Sequence, residues 1–268
     1  MSFPGPIEIA PHFRPRPNLR HAIFDWDGTI SLIRGGWVEV MVEVCIDSAP
    51  SLDRALVHAE MLALNGKPSI HQMVRMAELV SSAGGTPQHP EEYHRIYGER
   101  LARAAEGRVS ELRAGGSPHA HTVPGAFDFL DALAARGLAI SLVSGTSHPE
   151  LIFEAELLGI TDRFGGRIHG PRDTSDREFT KRAAIHALVA SHRIGADELL
   201  AVGDGPVEMR ETKALGGFAI GVASDESAPG SRRFDDFKRR QLLDCGADVV
   251  VPDYQDAAAL VALITETP

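Results

Sequence analysis

The sequence predicts an α/β protein, a doubly wound parallel sheet carrying a smaller all-helical domain. Three observations predict it. From residue 123 onward, short apolar runs alternate with stretches of helical period, the pattern of a parallel sheet covered on both faces. Three core runs, 21–25, 138–143 and 199–202, stop at or run into small, hydroxyl-bearing or acidic residues. Between residues 37 and 113 helical spacing persists with no strand-like run of Val and Ile, which marks an inserted helical unit.

In chain order, residues 1–20 carry Pro4, Pro6, Pro11, Pro15 and Pro17 and read as an irregular lead-in, with 7–9 as an edge strand. The first core strand is 21–25. Helical spacing then recurs in four sets: Val38, Met41 and Val42; Leu52, Leu56 and Ala59; Ile70, Met73 and Ala77; Tyr93, Tyr97 and Leu101. The breaks fall at Pro50, 65–68, 84–87 and 115–118. This gives about four helices, and a division into a core of 1–32 and 122–268 with a helical domain of 33–121.

Beyond it, Pro124-Gly125 opens a helix with Phe127, Leu130 and Leu133 on one face. Residues 138–143 form a buried strand. Ser147 and Glu150 have the spacing of a capping box at the next helix start. A short strand is expected over 164–169, a helix over 179–191 and a strand over 199–202. A helix to about 215, a strand over 218–222, a helix over 234–243, a strand over 249–251 and a helix over 257–264 complete the chain. Sheets of this kind bind ligands beyond the carboxyl ends of their strands.

Composition bounds the function. The 268 residues are 43% hydrophobic and 24% charged, which suits a globular core with an insertion. Cys45 and Cys245 lie far apart, so neither a disulfide framework nor a structural zinc site is expected, and a reducing cytoplasm fits. No apolar stretch approaches the ~18–20 residues of a membrane span. The start of the chain lacks the basic-then-apolar pattern of a signal peptide. A net charge of −10 argues against nucleic acid as a partner. It leaves room for a small anionic substrate, because a metal and a few cations can reverse the field of one cleft.

The strand tips carry the chemistry. Asp25 and Asp27 are two apart in extended chain, so their side chains share a face. Burying two carboxylates at a strand mouth is costly unless they are paired or bind metal. Hard carboxylate oxygens suit Mg2+. On this segment alone, an Asp-Gly turn is an equally good reading. The second tip supplies Ser144 and Thr146, the third Asp204 and then Glu208. Lys181 opens a helix between the second and third tips. If the three strands are neighbours, these groups meet at one sheet edge.

In order and type they resemble the haloacid dehalogenase superfamily of phosphohydrolases. Asp25-Trp26-Asp27-Gly28-Thr29 matches the first motif, Asp-x-Asp-x-Thr, and Ser144 and Lys181 match the second and third. Gly203-Asp204-Gly205-Pro206-Val207-Glu208 matches the fourth, with Glu replacing the usual last Asp. The resemblance covers residues 20–268, and the helical insertion looks like the family's cap.

The resemblance implies a role for each residue. Asp25 is the nucleophile that takes the phosphoryl group, and Asp27 the general acid and base. Mg2+ is held by Asp25, the Asp27 carbonyl, Asp204 and, directly or through water, Glu208. Ser144 and Lys181 hold phosphoryl oxygens, with Gly28, Thr29 and Gly145 lining the same site. An acid at position 27 points to phosphate esters, since dehalogenases lack one there and phosphonate-cleaving members carry Ala.

The expected activity is Mg2+-dependent hydrolysis of a small phosphorylated metabolite, such as a sugar phosphate or a phosphoglycolate-like acid, by a monomer or homodimer. A phosphomutase would share the four motifs. A phosphometabolite-binding module without turnover is the remaining alternative. Substrate choice is expected from the cap, closing over the site. Its break at 65–72 places Lys67, His71 and Gln72 as a substrate loop or as a plain interhelical turn. Arg34 and His148, each just past a motif, are further candidates for the cleft.

Overall fold

The computed structural model describes residues 5–64, 69–173, 176 and 178–266. The first elements are the two-residue edge strand β1 (Glu8–Ile9) and the core strand β2 (His21–Phe24). Four helices follow: α1 (Trp37–Ser48), α2 (Arg54–Ala63), α3 (Ile70–Ser82) and α4 (Pro90–Arg113). A short 3-10 turn, Pro118–His121, leads back to the sheet.

The rest alternates: α5 (Ala126–Ala135), β3 (Ala139–Val143), α6 (His148–Leu157), α7 (Thr161–Phe164), β4 (Ile168–His169), α8 (Lys181–His192) and β5 (Leu199–Gly203). Then come α9 (Pro206–Ala214), β6 (Phe218–Val222), α10 (Asp236–Asp244), β7 (Val249–Val251) and α11 (Ala257–Thr265).

The seven strands form one sheet in the order β1-β7-β6-β5-β2-β3-β4, parallel except for β1, which runs against β7. The central strand β2 lies between β3 and β5, with Phe24 opposite both Leu142 and Val202. The tips carrying Asp25, Ser144 and Asp204 are therefore adjacent, as the strand-end argument required.

Period-2 alternation explains why helices cover both faces. Ala22, Phe24, Ile140, Leu142, Leu200 and Val202 bury one face in a cluster with residues of α5 and α11. Ile23, Val143 and Ala201 bury the other against Ile185 and Leu188 of α8. Toward the far edge, Ala219 and Val250 pack with Met209 of α9 and Leu242 of α10.

The helices α1 to α4 bury a separate cluster built on Met41, Met61, Met73, Met76 and Tyr93. The long helix α4 serves both cores. Tyr93, Tyr97 and Leu101 belong to the helical cluster, whereas Ala105 and Leu112 belong to the main one. Arg108 donates from one guanidinium nitrogen to the carbonyls of Ile33 (2.9 Å) and Gly35 (3.0 Å), pinning the segment that leads into α1.

Two local expectations are corrected. Residues 164–169 are not one strand. Phe164 ends α7, Gly165 and Gly166 turn the chain at φ of 53° and 78°, and pairing is confined to Ile168–His169. The capping box at α6 is also incomplete. The Ser147 hydroxyl donates to the Glu150 carboxylate at 2.5 Å and caps no backbone N–H.

Candidate active site

At the tip of β2 the chain turns tightly. The Trp26 carbonyl accepts from the amides of Thr29, Ile30 and Ser31, and Gly28 adopts a φ of +69°. A side chain at position 28 would also collide: a Cβ there would lie 2.5 Å from Asp204 Oδ2. Glycine thus lets the carboxylate of the third tip press against the backbone of the first. Gly203 plays a similar part, since a Cβ there would lie 2.8 Å from Cγ of Glu208.

Asp25 is buried, with Oδ1 accepting from the Trp26 amide at 2.7 Å and Oδ2 paired to Lys181 Nζ at 2.7 Å. Lys181 also reaches Glu208 Oε1 at 2.7 Å. All three side chains are nearly inaccessible to solvent. Thr180 places the lysine: its hydroxyl accepts from the Ala183 amide at 3.1 Å and starts α8, with Lys181 as the first helical residue. Burial pushes the Asp25 carboxyl well up, with Glu208 and Asp204 adding to the push and Lys181 opposing it. For Lys181, desolvation favours the neutral amine, but Asp25 and Glu208 outweigh it and keep the ammonium charged.

Asp27 has a different environment. Its Oδ2 accepts from the Thr146 hydroxyl at 2.7 Å, and its Oδ1 accepts no hydrogen bond among the described residues. Burial raises its pKa to about 6, with Arg34 and Thr146 restraining the rise and Glu154 adding to it. An acid poised near neutrality, with one oxygen uncommitted, can exchange a proton with a leaving group.

Trp26, between the two aspartates, is locked by its indole N–H donating to Glu154 of α6 at 2.8 Å. Glu154 also accepts from Arg34 Nε at 2.7 Å, and Arg34 lies 3.2 Å from Glu150. Tyr97 of α4, buried in the helical cluster, has its phenol pushed up by burial and next by Asp27.

Asp204, buried at the end of β5, pairs through Oδ2 with Lys238 Nζ of α10 at 2.9 Å. Lys238 also bonds Glu226 Oε1 at 2.5 Å. Desolvation opposes its charge, but Asp204 and Glu226 prevail and hold it as an ammonium. Along this edge four carboxylates, Asp25, Asp204, Glu208 and Glu226, face two ammonium groups.

The donors are hard oxygens, and Glu208 Oε2 accepts no hydrogen bond among the described residues. Among the described residues no group of three or more His, Cys, Asp or Glu side chains is arranged as a metal-holding cage or cluster. Mg2+ characteristically takes one or two carboxylates and retains water, so a cage is not required. The donor set fits that ion.

The structure thus brings Asp25, Asp27, Lys181, Asp204 and Glu208 to one edge, with Ser144 on the neighbouring tip. Ser144 is buried, and its hydroxyl accepts from the Thr146 amide at 3.1 Å. Gly145 is exposed, with open space where a Cβ would stand.

Other expected ligands are placed differently. The Gly28 amide is committed to the Ser31 carbonyl at 3.0 Å and is not a free anion donor. Thr29 is wholly buried, and its carbonyl accepts from the Tyr254 hydroxyl at 2.9 Å. Gln72 is buried inside the helical domain, its amide donating to the Met61 carbonyl at 3.1 Å. That bond assigns it to packing of α3 on α2 in place of substrate contact. Lys67 lies outside the described residues. His148 is exposed at the start of α6.

Sequence reasoning missed Lys238 and Glu226, and it assigned Thr146 no task. Thr146 was visible as a strand-end hydroxyl. Lys238 carried no signal, because it heads the run Lys238-Arg239-Arg240, which reads as a solvated helix face.

Comparison with known proteins gives a consistent family. A family model described as haloacid dehalogenase-like hydrolase matches residues 19–216. A phosphoglycolate phosphatase of Rhodospirillum rubrum is 35% identical over 119 residues, 44% of this chain and 46% of that protein. The match thus spans about half the length of the relative. Among solved structures, a HAD family hydrolase from Deinococcus radiodurans, with bound phosphate and sodium, aligns with a TM-score of 0.60. It is 18% identical, covering 94% of this chain and all of its own. A beta-phosphoglucomutase from Clostridium difficile aligns with a TM-score of 0.56 at 15% identity, covering 84% of this chain and 98% of its own. At these identities the structural matches speak to the fold alone.

Proposed function

The chain belongs to the haloacid dehalogenase-like hydrolases, and on that premise we propose that it is a Mg2+-dependent phosphatase of a small phosphorylated metabolite. One observation carries the reading. Two carboxylates two residues apart have different partners: Asp25 is bound to an ammonium at 2.7 Å, whereas Asp27 accepts from the Thr146 hydroxyl at 2.7 Å and keeps its other oxygen free of hydrogen bonds among the described residues. That is the division of labour between a nucleophile and a proton donor.

Asp25 attacks phosphorus and forms an acyl phosphate on its own carboxylate. Asp27 gives its proton to the departing oxygen, then takes one from the water that cleaves the acyl phosphate. Lys181 offsets phosphoryl charge and orients Asp25. Thr146 and the Glu154–Trp26 bond hold Asp27 in place. Asp25, the Asp27 carbonyl and Asp204 would hold Mg2+, with Glu208 beside them. The ion would supply charge neutralisation for a carboxylate approaching a phosphate dianion. The helical domain, residues 33–121, acts as the cap and chooses the substrate.

Among the described residues no helix is long and apolar enough to cross a membrane. The test is p-nitrophenyl phosphate turnover with Mg2+. Asp25→Asn should lose activity by at least about a thousandfold, the order seen when a nucleophile is removed. Retained turnover would overturn the assignment. A panel of phosphorylated metabolites scored for free phosphate separates this reading from a phosphomutase, which yields isomer without phosphate.

A further inference from the structure

The pairing of Lys238 has no counterpart in the motif-based account. Its ammonium is shared between Asp204 Oδ2 at 2.9 Å and Glu226 Oε1 at 2.5 Å. The lysine is almost fully buried, so it cannot turn to water when a partner is lost. Glu226 comes from the irregular segment after β6 and lies over the loop that follows Asp25. Its two carboxylate oxygens stand 3.0 and 3.5 Å from where Cβ atoms of Gly28 and Gly35 would be. The Ser224 hydroxyl, two residues earlier, donates to the Gly28 carbonyl at 3.2 Å and ties the same segment to that loop. Lys238 therefore sits between a carboxylate expected to bind metal and one that is not.

We propose that Lys238 is a positioning residue that sets metal affinity: it neutralises Asp204 when no metal is bound and is handed to Glu226 when Asp204 engages the ion. The inference rests on Asp204 being a metal ligand. The ammonium competes with the metal for Asp204 and repels it, so it weakens binding. Glu226 works the other way, giving the displaced ammonium a buried partner and adding negative charge. A unit charge several ångströms from a divalent ion is worth roughly tenfold in affinity even at water's dielectric constant.

The two substitutions should act in opposite directions. Mg2+ affinity is measured by titration calorimetry on the metal-stripped full chain, alongside the Mg2+-induced rise in Tm. Wild type binds saturably, and Asp204→Asn loses most of that binding, which tests the metal-ligand reading separately. Lys238→Met should bind Mg2+ about 5- to 10-fold more tightly and show a larger Tm rise, from a lower metal-free Tm. Glu226→Gln should bind it more weakly by a similar factor. A purely structural role for the pair predicts weaker binding in both variants.

If wild type and Asp204→Asn behave alike, the metal-ligand reading fails. If those two differ as stated and Lys238→Met binds Mg2+ equally or less tightly, the proposal on Lys238 fails. Should Lys238→Met not fold, Lys238→Gln takes its place, removing the charge while keeping a hydrogen-bonding group: tighter Mg2+ binding than wild type supports the proposal, and equal or weaker binding overturns it.

Discussion

At the scale of single residues, each charged group in the protein is set by what lies within a few ångströms. His21, at the start of β2, shows this away from the candidate site. It is buried against the Ser141 hydroxyl at 3.0 Å, with the His192 ring 5.2 Å away. Burial first, then His192 and Arg167, lower its pKa from 6.5 to about 4. The native state therefore resists protonation that the unfolded chain accepts. The stability this confers is fully present above about pH 6.5 and is lost as pH falls toward 4, an amount of roughly 3 kcal/mol. Urea melts between pH 7 and 4.5 should show that loss, and His21→Gln, which keeps a hydrogen-bonding group, should flatten it.

The same scale explains what was legible in the sequence. Asp25, Asp27, Ser144, Lys181, Asp204 and Glu208 stand at strand ends or helix starts, where position along the chain limits direction in space. Lys238 and Glu226 follow an irregular stretch, and nothing local says which of three consecutive basic residues turns inward. Only the tertiary path over residues 223–235 decides it. Gln72 erred for a related reason: a polar residue beside a loop looks exposed until the neighbouring helix supplies a carbonyl for it.

At the scale of elements, strands were easy to read where both faces are buried, since apolar runs bounded by turns have few alternatives. The segment 164–169 failed because Phe164 and Ile168 look the same to a periodicity argument whether they close a short helix or open a strand. The element that matters most for chemistry is α8, because its first residue is Lys181. Its start depends on the Thr180 hydroxyl bonding the Ala183 amide at 3.1 Å. Thr180→Ala should cost about 1 kcal/mol in urea denaturation. It should also lower p-nitrophenyl phosphate turnover, because the ammonium shared by Asp25 and Glu208 loses its fixed base. Thr180→Ser should restore both quantities.

At the scale of the whole molecule, two hydrophobic cores are joined by segment 30–36 and by α4. The run of helices α1 to α4 was legible from the change in periodicity alone. The sharing of α4 was not, because its apolar residues keep one helical period throughout and nothing marks where one core hands over to the other. That handover falls between Leu101 and Ala105, and the exposed Gly98 and Gly107 flank it. Glycine within a helix costs about 1 kcal/mol relative to alanine. Gly107→Ala should therefore raise stability by up to that amount in urea melts. If the helical domain must move for substrate entry, the same change should slow steady-state turnover.

The joint between the two bodies is thus unlike a hinged door. A door swings freely on slack connections, but here one connection is a continuous rod clamped at both ends, and the other is stapled to it by Arg108. Opening such a joint means flexing the rod, and a flexed rod springs back. The present arrangement is then the one such a joint returns to, and any movement of the four helices against the sheet has to bend the rod.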